Sequence, residues 1–94
     1  MAAAFKIIVN GSEVALPPIT YGVVKANKEV IDKFTTADRD YNQVVADAVA
    51  LLKLSAPDVD FDGATPIDIL NASRDVHAAT FYRPEGHAPV PQNP

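Results

Sequence analysis

A chain of 94 residues has the length of one domain, and at that size it buries only a modest core. Its hydrophobic fraction of 48% and charged fraction of 21% are ordinary for a globular protein and argue against disorder of the whole chain. The lack of cysteine excludes disulfides and thiolate metal sites, and the net charge of −4 makes nucleic acid a poor partner.

That charge is unevenly placed. Residues 1–37 carry four lysines against three carboxylates, whereas residues 38–82 carry Arg39, Lys53 and Arg74 against eight aspartates. An acidic middle keeps the chain in solution and suits a basic protein partner or a divalent cation. The longest apolar runs, Ile7 to Val9 and Ala48 to Leu52, fall far short of the ~20 residues a membrane span needs. No basic segment precedes an apolar stretch at the N-terminus, so a signal peptide is not expected and the expected location is cytoplasmic.

The first predicted element is a β-hairpin over residues 5–16. Asn10-Gly11 supplies the two positive-φ positions of a type I′ turn between two β-prone runs. Alternation puts Phe5, Ile7 and Val9 on one face of the first strand and Val14 and Leu16 on one face of the second. Ile8 falls on the opposite face with Lys6. Pro17-Pro18 then ends the pairing, because proline has no amide to donate.

A first helix is expected from Thr20, whose hydroxyl can cap the opening turn. Val23, Val24, Val30, Ile31 and Phe34 form its apolar stripe, while Lys25 with Glu29, Lys28 with Asp32 and Glu29 with Lys33 are spaced for i,i+4 pairs. Gly22 and Asn27 are weak helix formers, so this helix needs tertiary support. A second helix starts at Asp40, which with Gln43 makes a capping-box pattern, and ends by Ser55 or Ala56 ahead of Pro57. Tyr41, Val44, Val45, Ala48, Val49, Leu51 and Leu52 give it the broadest apolar face of the chain.

The third helix, 65–81, carries Thr65 at the cap, Pro66 at the first position and Asp68 in the first turn. Ile67, Ile69, Leu70, Val76 and Phe81 are expected to point inward. From Arg83 onward prolines dominate and large apolar residues are scarce. The predicted organisation is therefore a single small α+β domain, 1–82, with a hairpin and about three short helices, and a flexible Pro-rich tail, 83–94.

Few motifs point to chemistry. Asp58-Val59-Asp60-Phe61-Asp62-Gly63 matches the opening of a calcium-binding EF-hand loop, with oxygen ligands at alternate positions and glycine at the sixth. The loop then fails: Thr65 and Pro66 stand at positions eight and nine, and Ile69 where a bidentate Glu is required. An acidic interhelical turn is the simpler reading, and a calcium-responsive module built on Asp58, Asp60 and Asp62 is the alternative. Ser12 or Ser73 with His77 and an aspartate could be assembled into a hydrolytic triad, but no nucleophile elbow is present and chance supplies such a set. His77 is expected at the edge of the core. With no reaction, cofactor or zinc site indicated, protein–protein interaction remains, and no enzyme is expected.

The segment Val9-Asn10-Gly11-Ser12-Glu13-Val14-Ala15-Leu16-Pro17-Pro18-Ile19-Thr20-Tyr21-Gly22, followed by modest helices and the Pro57-Asp58-Val59 turn, resembles tail assembly chaperones of long-tailed bacteriophages, over roughly residues 5–82. The triple-aspartate loop and the proline-rich tail depart from that family. The resemblance implies a viral, non-catalytic protein of the host-cell cytoplasm that binds the long helical tape measure protein, keeps it soluble while the tail tube protein assembles around it, and forms homo-oligomers. Another minor virion part, such as a head–tail joining protein, is a further alternative. Under the chaperone reading the contact residues are expected to be Tyr21, Val24 and Ile31 on the first helix and Val45 and Val49 on the second.

Overall fold

The hairpin forms as the sequence predicts. In the computed structural model, which describes residues 5–82, β1 (Phe5–Val9) pairs antiparallel with β2 (Ser12–Leu16). The expected tail, 83–94, lies outside the described residues. Val9 faces Ser12 across the turn, and Asn10 and Gly11 hold φ of 52° and 81°, the left-handed values a two-residue loop demands. Ile7, Val9 and Leu16 are buried, whereas Lys6 and Ile8 face solvent.

The Pro17–Ile19 segment is a strap pinned at both ends. Ser55 Oγ donates to the Pro17 carbonyl, and the Ile19 amide donates to Thr80 Oγ1 at 3.0 Å. Thr80 Oγ1 donates in turn to the Val76 carbonyl at 2.7 Å. These bonds let Ile19 be buried in a segment with two residues that cannot donate.

The stretch expected to be one helix is two. α1 (Tyr21–Ala26) and α2 (Lys28–Thr35) are separated at Asn27, whose φ of −126° leaves the helical region. Its side-chain amide donates to the Val23 carbonyl at 2.9 Å, and its own carbonyl accepts from Val30 at 3.0 Å and from Ile31 at 3.3 Å. Asn27 thereby closes one helix and opens the next, as residues that compete for local backbone groups do. The break parts Lys25 from Glu29. Among the described residues the ion pairs are Lys6–Glu13 and Arg39–Asp47, so the three expected i,i+4 bridges are not made. Thr20 holds the N-cap position of α1 in extended conformation without a side-chain cap bond.

The remaining helices follow their start signals. α3 (Tyr41–Ser55) is capped by Asp40 Oδ1, which accepts from the Gln43 amide at 2.8 Å. α4 (Pro66–Phe81) is capped by Thr65 Oγ1, which accepts from the Asp68 amide at 3.2 Å. Between them a single 3₁₀ turn, Phe61–Gly63, sinks Phe61 to 1% exposure. The inward set of α4 is narrower than expected. Ile69, Ala72, Ser73 and Val76 are buried and Leu70 is half-buried, but Ile67 and Phe81 are 59% and 42% exposed. Ile67 stands in the first turn and Phe81 in the last, where packing covers the helix only in part; Phe81 meets the His77 ring and is otherwise open to solvent. Tyr41, at the start of α3, is exposed for the same reason.

The architecture is α+β. α4 packs on both α3 and β1, and α2 lies on α3. The core joins Ile7, Val9 and Leu16 of the hairpin to Leu51 and Leu52 of α3 and Ile69 and Val76 of α4, with Phe61 as its largest fully buried side chain. No helix among the described residues is long and apolar enough to cross a membrane.

Candidate interaction surface

Apolar residues of α1 and α2 reach the core without being enclosed by it. Neither helix contains a buried residue, although α2 carries its apolar groups on one side at helical spacing. Val23, Val24, Ile31 and Phe34 are half-buried and pack against the core, as do Val45 and Val49 of α3. Of the five residues expected to make contacts, Val24, Ile31, Val45 and Val49 are therefore each half-covered at the margin of the core. Tyr21 stands apart, 77% exposed, with Lys25 Nζ 5.6 Å from its ring centroid.

A polar staple fixes α2 on α3. Asp38 turns the chain with φ of 63°, and Arg39 then reaches back. Its Nη2 donates to the Phe34 carbonyl in the last turn of α2 at 3.0 Å, and its Nη1 donates to Asp47 Oδ2 at 2.7 Å. A guanidinium at a helix C-terminus satisfies an orphan carbonyl and opposes the negative end of the dipole. Gln43 Nε2 donates to the other carboxylate oxygen of Asp47 at 2.9 Å. The pair is secluded, with side-chain exposures of 16% for Arg39 and 8% for Asp47, and Arg39 Nε has no partner. Burial works against the charged carboxylate. The bonds from Arg39 and Gln43 and the positive charges of Arg39 and Lys33 outweigh it and hold Asp47 below its ordinary range. One signal of this site was in the sequence: Asp47 interrupts an apolar helix face, and a carboxylate there demands a partner. Spacing along a helix could not name Arg39, which lies beyond the helix start.

Where α2 meets the last turns of α4, four rings gather. His77 lies 5.3 Å from Phe34, 4.8 Å from Phe81 and 6.1 Å from Tyr82, centroid to centroid, all tilted. As expected for a residue at the edge of the core, His77 is half-buried, and burial pushes its pKa down. His77 and Phe81 share a helix face by spacing alone, whereas Phe34 arrives only through the tertiary fold.

The acidic loop serves as a turn. Asp58, Asp60 and Asp62 are exposed, and Asp60 Oδ1 accepts from the Asp62 amide at 2.9 Å. Among the described residues no group of three His, Cys, Asp or Glu side chains is placed to hold a metal ion. Gly63 does not serve a left-handed turn. It stands where a Cβ would overlap the Asn10 side-chain amide, and its carbonyl accepts from the Asn10 N–H at 3.3 Å, tying this turn to the hairpin. Ser73 is fully buried and donates to the Leu70 carbonyl at 2.8 Å, and Ser12 lies exposed at the hairpin turn.

No protein-family model matches the chain, and no curated protein or solved structure matches it significantly.

Proposed function

We propose that this protein is a phage tail assembly chaperone. In this reading it is a non-catalytic domain that binds helical segments of a tape measure protein reversibly and self-associates while the tail tube assembles. The observation that carries the reading is the half-covered apolar margin: α1 and α2 hold valine, isoleucine and phenylalanine residues against the core, yet bury none of them. A client helix laid along such a margin would complete its burial, which is how amphipathic helices are taken up by grooves. The hairpin, Pro-Pro strap and helix order of residues 5–82 supports it through the resemblance.

The test begins with the DNA flanking the gene, where an overlapping frame and a long, helix-rich open reading frame are expected. That long protein is then produced alone and with this chain. Solubility only on co-production, lost in Val24→Asp and Ile31→Asp variants that still fold, is the expected result. A long protein equally soluble alone, or a gene surrounded by ordinary metabolic frames, overturns the proposal.

A further inference from the structure

The hairpin has an open edge, and what borders that edge selects a partner. In a two-residue hairpin Val9 and Ser12 form a hydrogen-bonded pair, so Ile7 and Phe5 also bond across to β2. The backbone groups of Lys6 and Ile8 then point away from β2. The Asn10 amide, of the same parity, also points outward and is taken by the Gly63 carbonyl. The 3₁₀ turn thus closes the edge at its turn end. Among the described residues nothing pairs with the N–H and C=O groups of Lys6 and Ile8 beyond, since the sheet has only two strands.

Beside this edge runs a shallow cleft of about 140 Å³, lined by Lys6, Ile7 and Ile8 of β1 and by Asp68, Asn71, Ala72 and Asp75 of α4. The α4 residues fall at i, i+3, i+4 and i+7, one stripe of the helix facing the strand. The cleft is too small for a helix but has room for side chains of an added strand. Its charge is one-sided. Lys6 Nζ is engaged by Glu13 Oε1 at 3.4 Å, while Asp68 and Asp75 have no ion-pair partner among the described residues.

We infer that β1 takes up an extended segment of a partner protein that alternates basic and apolar residues. The segment adds as a third strand, its backbone bonding Lys6 and Ile8. Side chains of an added strand alternate between faces. On the α4 side they meet Asp68, Asn71 and Asp75, where Lys or Arg fits. On the other side they lie next to Ile8, which is 46% exposed and offers an apolar cross-strand neighbour. A second copy of this chain is the poorer occupant. Pairing two β1 edges about a two-fold would set the Asp68–Asp75 stripes of both copies against one another, like charge on like. This inference concerns a different surface from the helical margin and does not depend on the chaperone reading.

The experiment titrates a short, capped peptide of alternating Lys and Val into the full chain labelled with ¹⁵N. Three further peptides accompany it: a Glu/Val analogue, a Lys/Val peptide N-methylated along one strand edge, and a Lys/Val peptide of scrambled alternation. The expected result is a shift of the Lys6 and Ile8 amides, slowed exchange at both, and binding about fivefold weaker in a D68N/D75N variant that melts normally. The N-methylated, Glu/Val and scrambled peptides should leave those amides unmoved. Shifts confined to α1 and α2, equal binding of the Glu/Val peptide, or unchanged affinity for the N-methylated peptide overturns the inference. Concentration-dependent shifts of Lys6 and Ile8 without peptide also overturn it, by assigning the edge to a second copy. None of these outcomes bears on whether the helical margin solubilises a long helical client.

Discussion

The hairpin–α3–α4 centre and the α1–α2 arm use the same apolar residue types and reach opposite degrees of coverage. In the centre, Leu16, Leu51, Leu52, Phe61 and Val76 are all but inaccessible, because a sheet face, two long helices and a loop plug meet around them. In the arm, Val24, Ile31 and Phe34 touch that core from one side only. A helix of six or eight residues has too few turns to enclose a stripe of its own, and isolated helices this short are marginal in water. The arm is therefore stable only as far as the centre and the Arg39–Asp47 staple hold it. Exposure of its apolar residues is built into its length.

The largest effect that would break this comparison is at the plug. Phe61→Ala should cost about 4 kcal/mol, a large part of the roughly 5–14 kcal/mol available to a domain of this size. Ile31→Ala on the half-covered margin should cost about 1 kcal/mol, because little area changes and no cavity is closed in. Urea unfolding followed by circular dichroism measures both. Equal losses would mean that the arm is as integral as the centre.

Next comes the staple. Asp47→Ala leaves a secluded guanidinium unpaired and should cost about 3 kcal/mol. Arg39→Ala should cost a similar amount, and the double variant clearly less than the sum, since each single change strands the other partner. Hydrogen exchange sharpens the point. Amides of α1 and α2 should exchange through a partial opening that the Asp47→Ala change makes easier, with α3 and α4 protected up to global unfolding. Uniform protection across all four helices would show one cooperative unit.

How much of this could be read from the residues depends on whether the deciding contact was local. The Asn10-Gly11 turn, the Asp40 and Thr65 caps and the face alternation of β1 are set by neighbours a few positions away, and each was legible. Asn27 is a weak helix former by type, but only its side chain's bond to Val23 turns that weakness into a break. Ile67 and Phe81 share the apolar stripe of α4, and periodicity cannot show that the stripe runs past the elements that cover it. Phe61 lies in an acidic loop with no helical periodicity around it, and only the fold makes it the core's plug. Helical spacing places Val24, Ile31, Val45 and Val49 on apolar stripes, and a two-stranded hairpin by itself implies open edges, whereas the acidic border of the β1 edge joins segments some sixty residues apart and has no local signature.

A smaller effect tests how the two turns of the centre are joined. Gly63→Ala places a methyl group on the Asn10 amide and should cost about 1 kcal/mol. Asn10→Gly keeps the left-handed turn while removing the obstruction, so it should recover most of the loss in the double variant. A double variant as unstable as Gly63→Ala alone would locate the strain elsewhere.

The smallest expected effect lies where arm and centre meet, at His77. Burial lowers its pKa from the ordinary 6.5, so the neutral ring is favoured in the folded state. Below 6.5 the unfolded chain binds more protons than the folded one. The contribution is therefore fully present above that pH and is lost as pH falls through the lowered folded value. Asp47 acts in a separate window, because its depressed pKa supports folding above the ordinary 3.8 and gives way only as pH falls below it. Melting temperature should accordingly decline in two steps on acidification, a shallow one just below 6.5 and a steeper one below 4. His77→Phe keeps a ring among Phe34, Phe81 and Tyr82 and should erase the first step while leaving the second. If the shallow step survives that change, the groups that couple the arm to the centre near neutral pH lie outside the ring cluster.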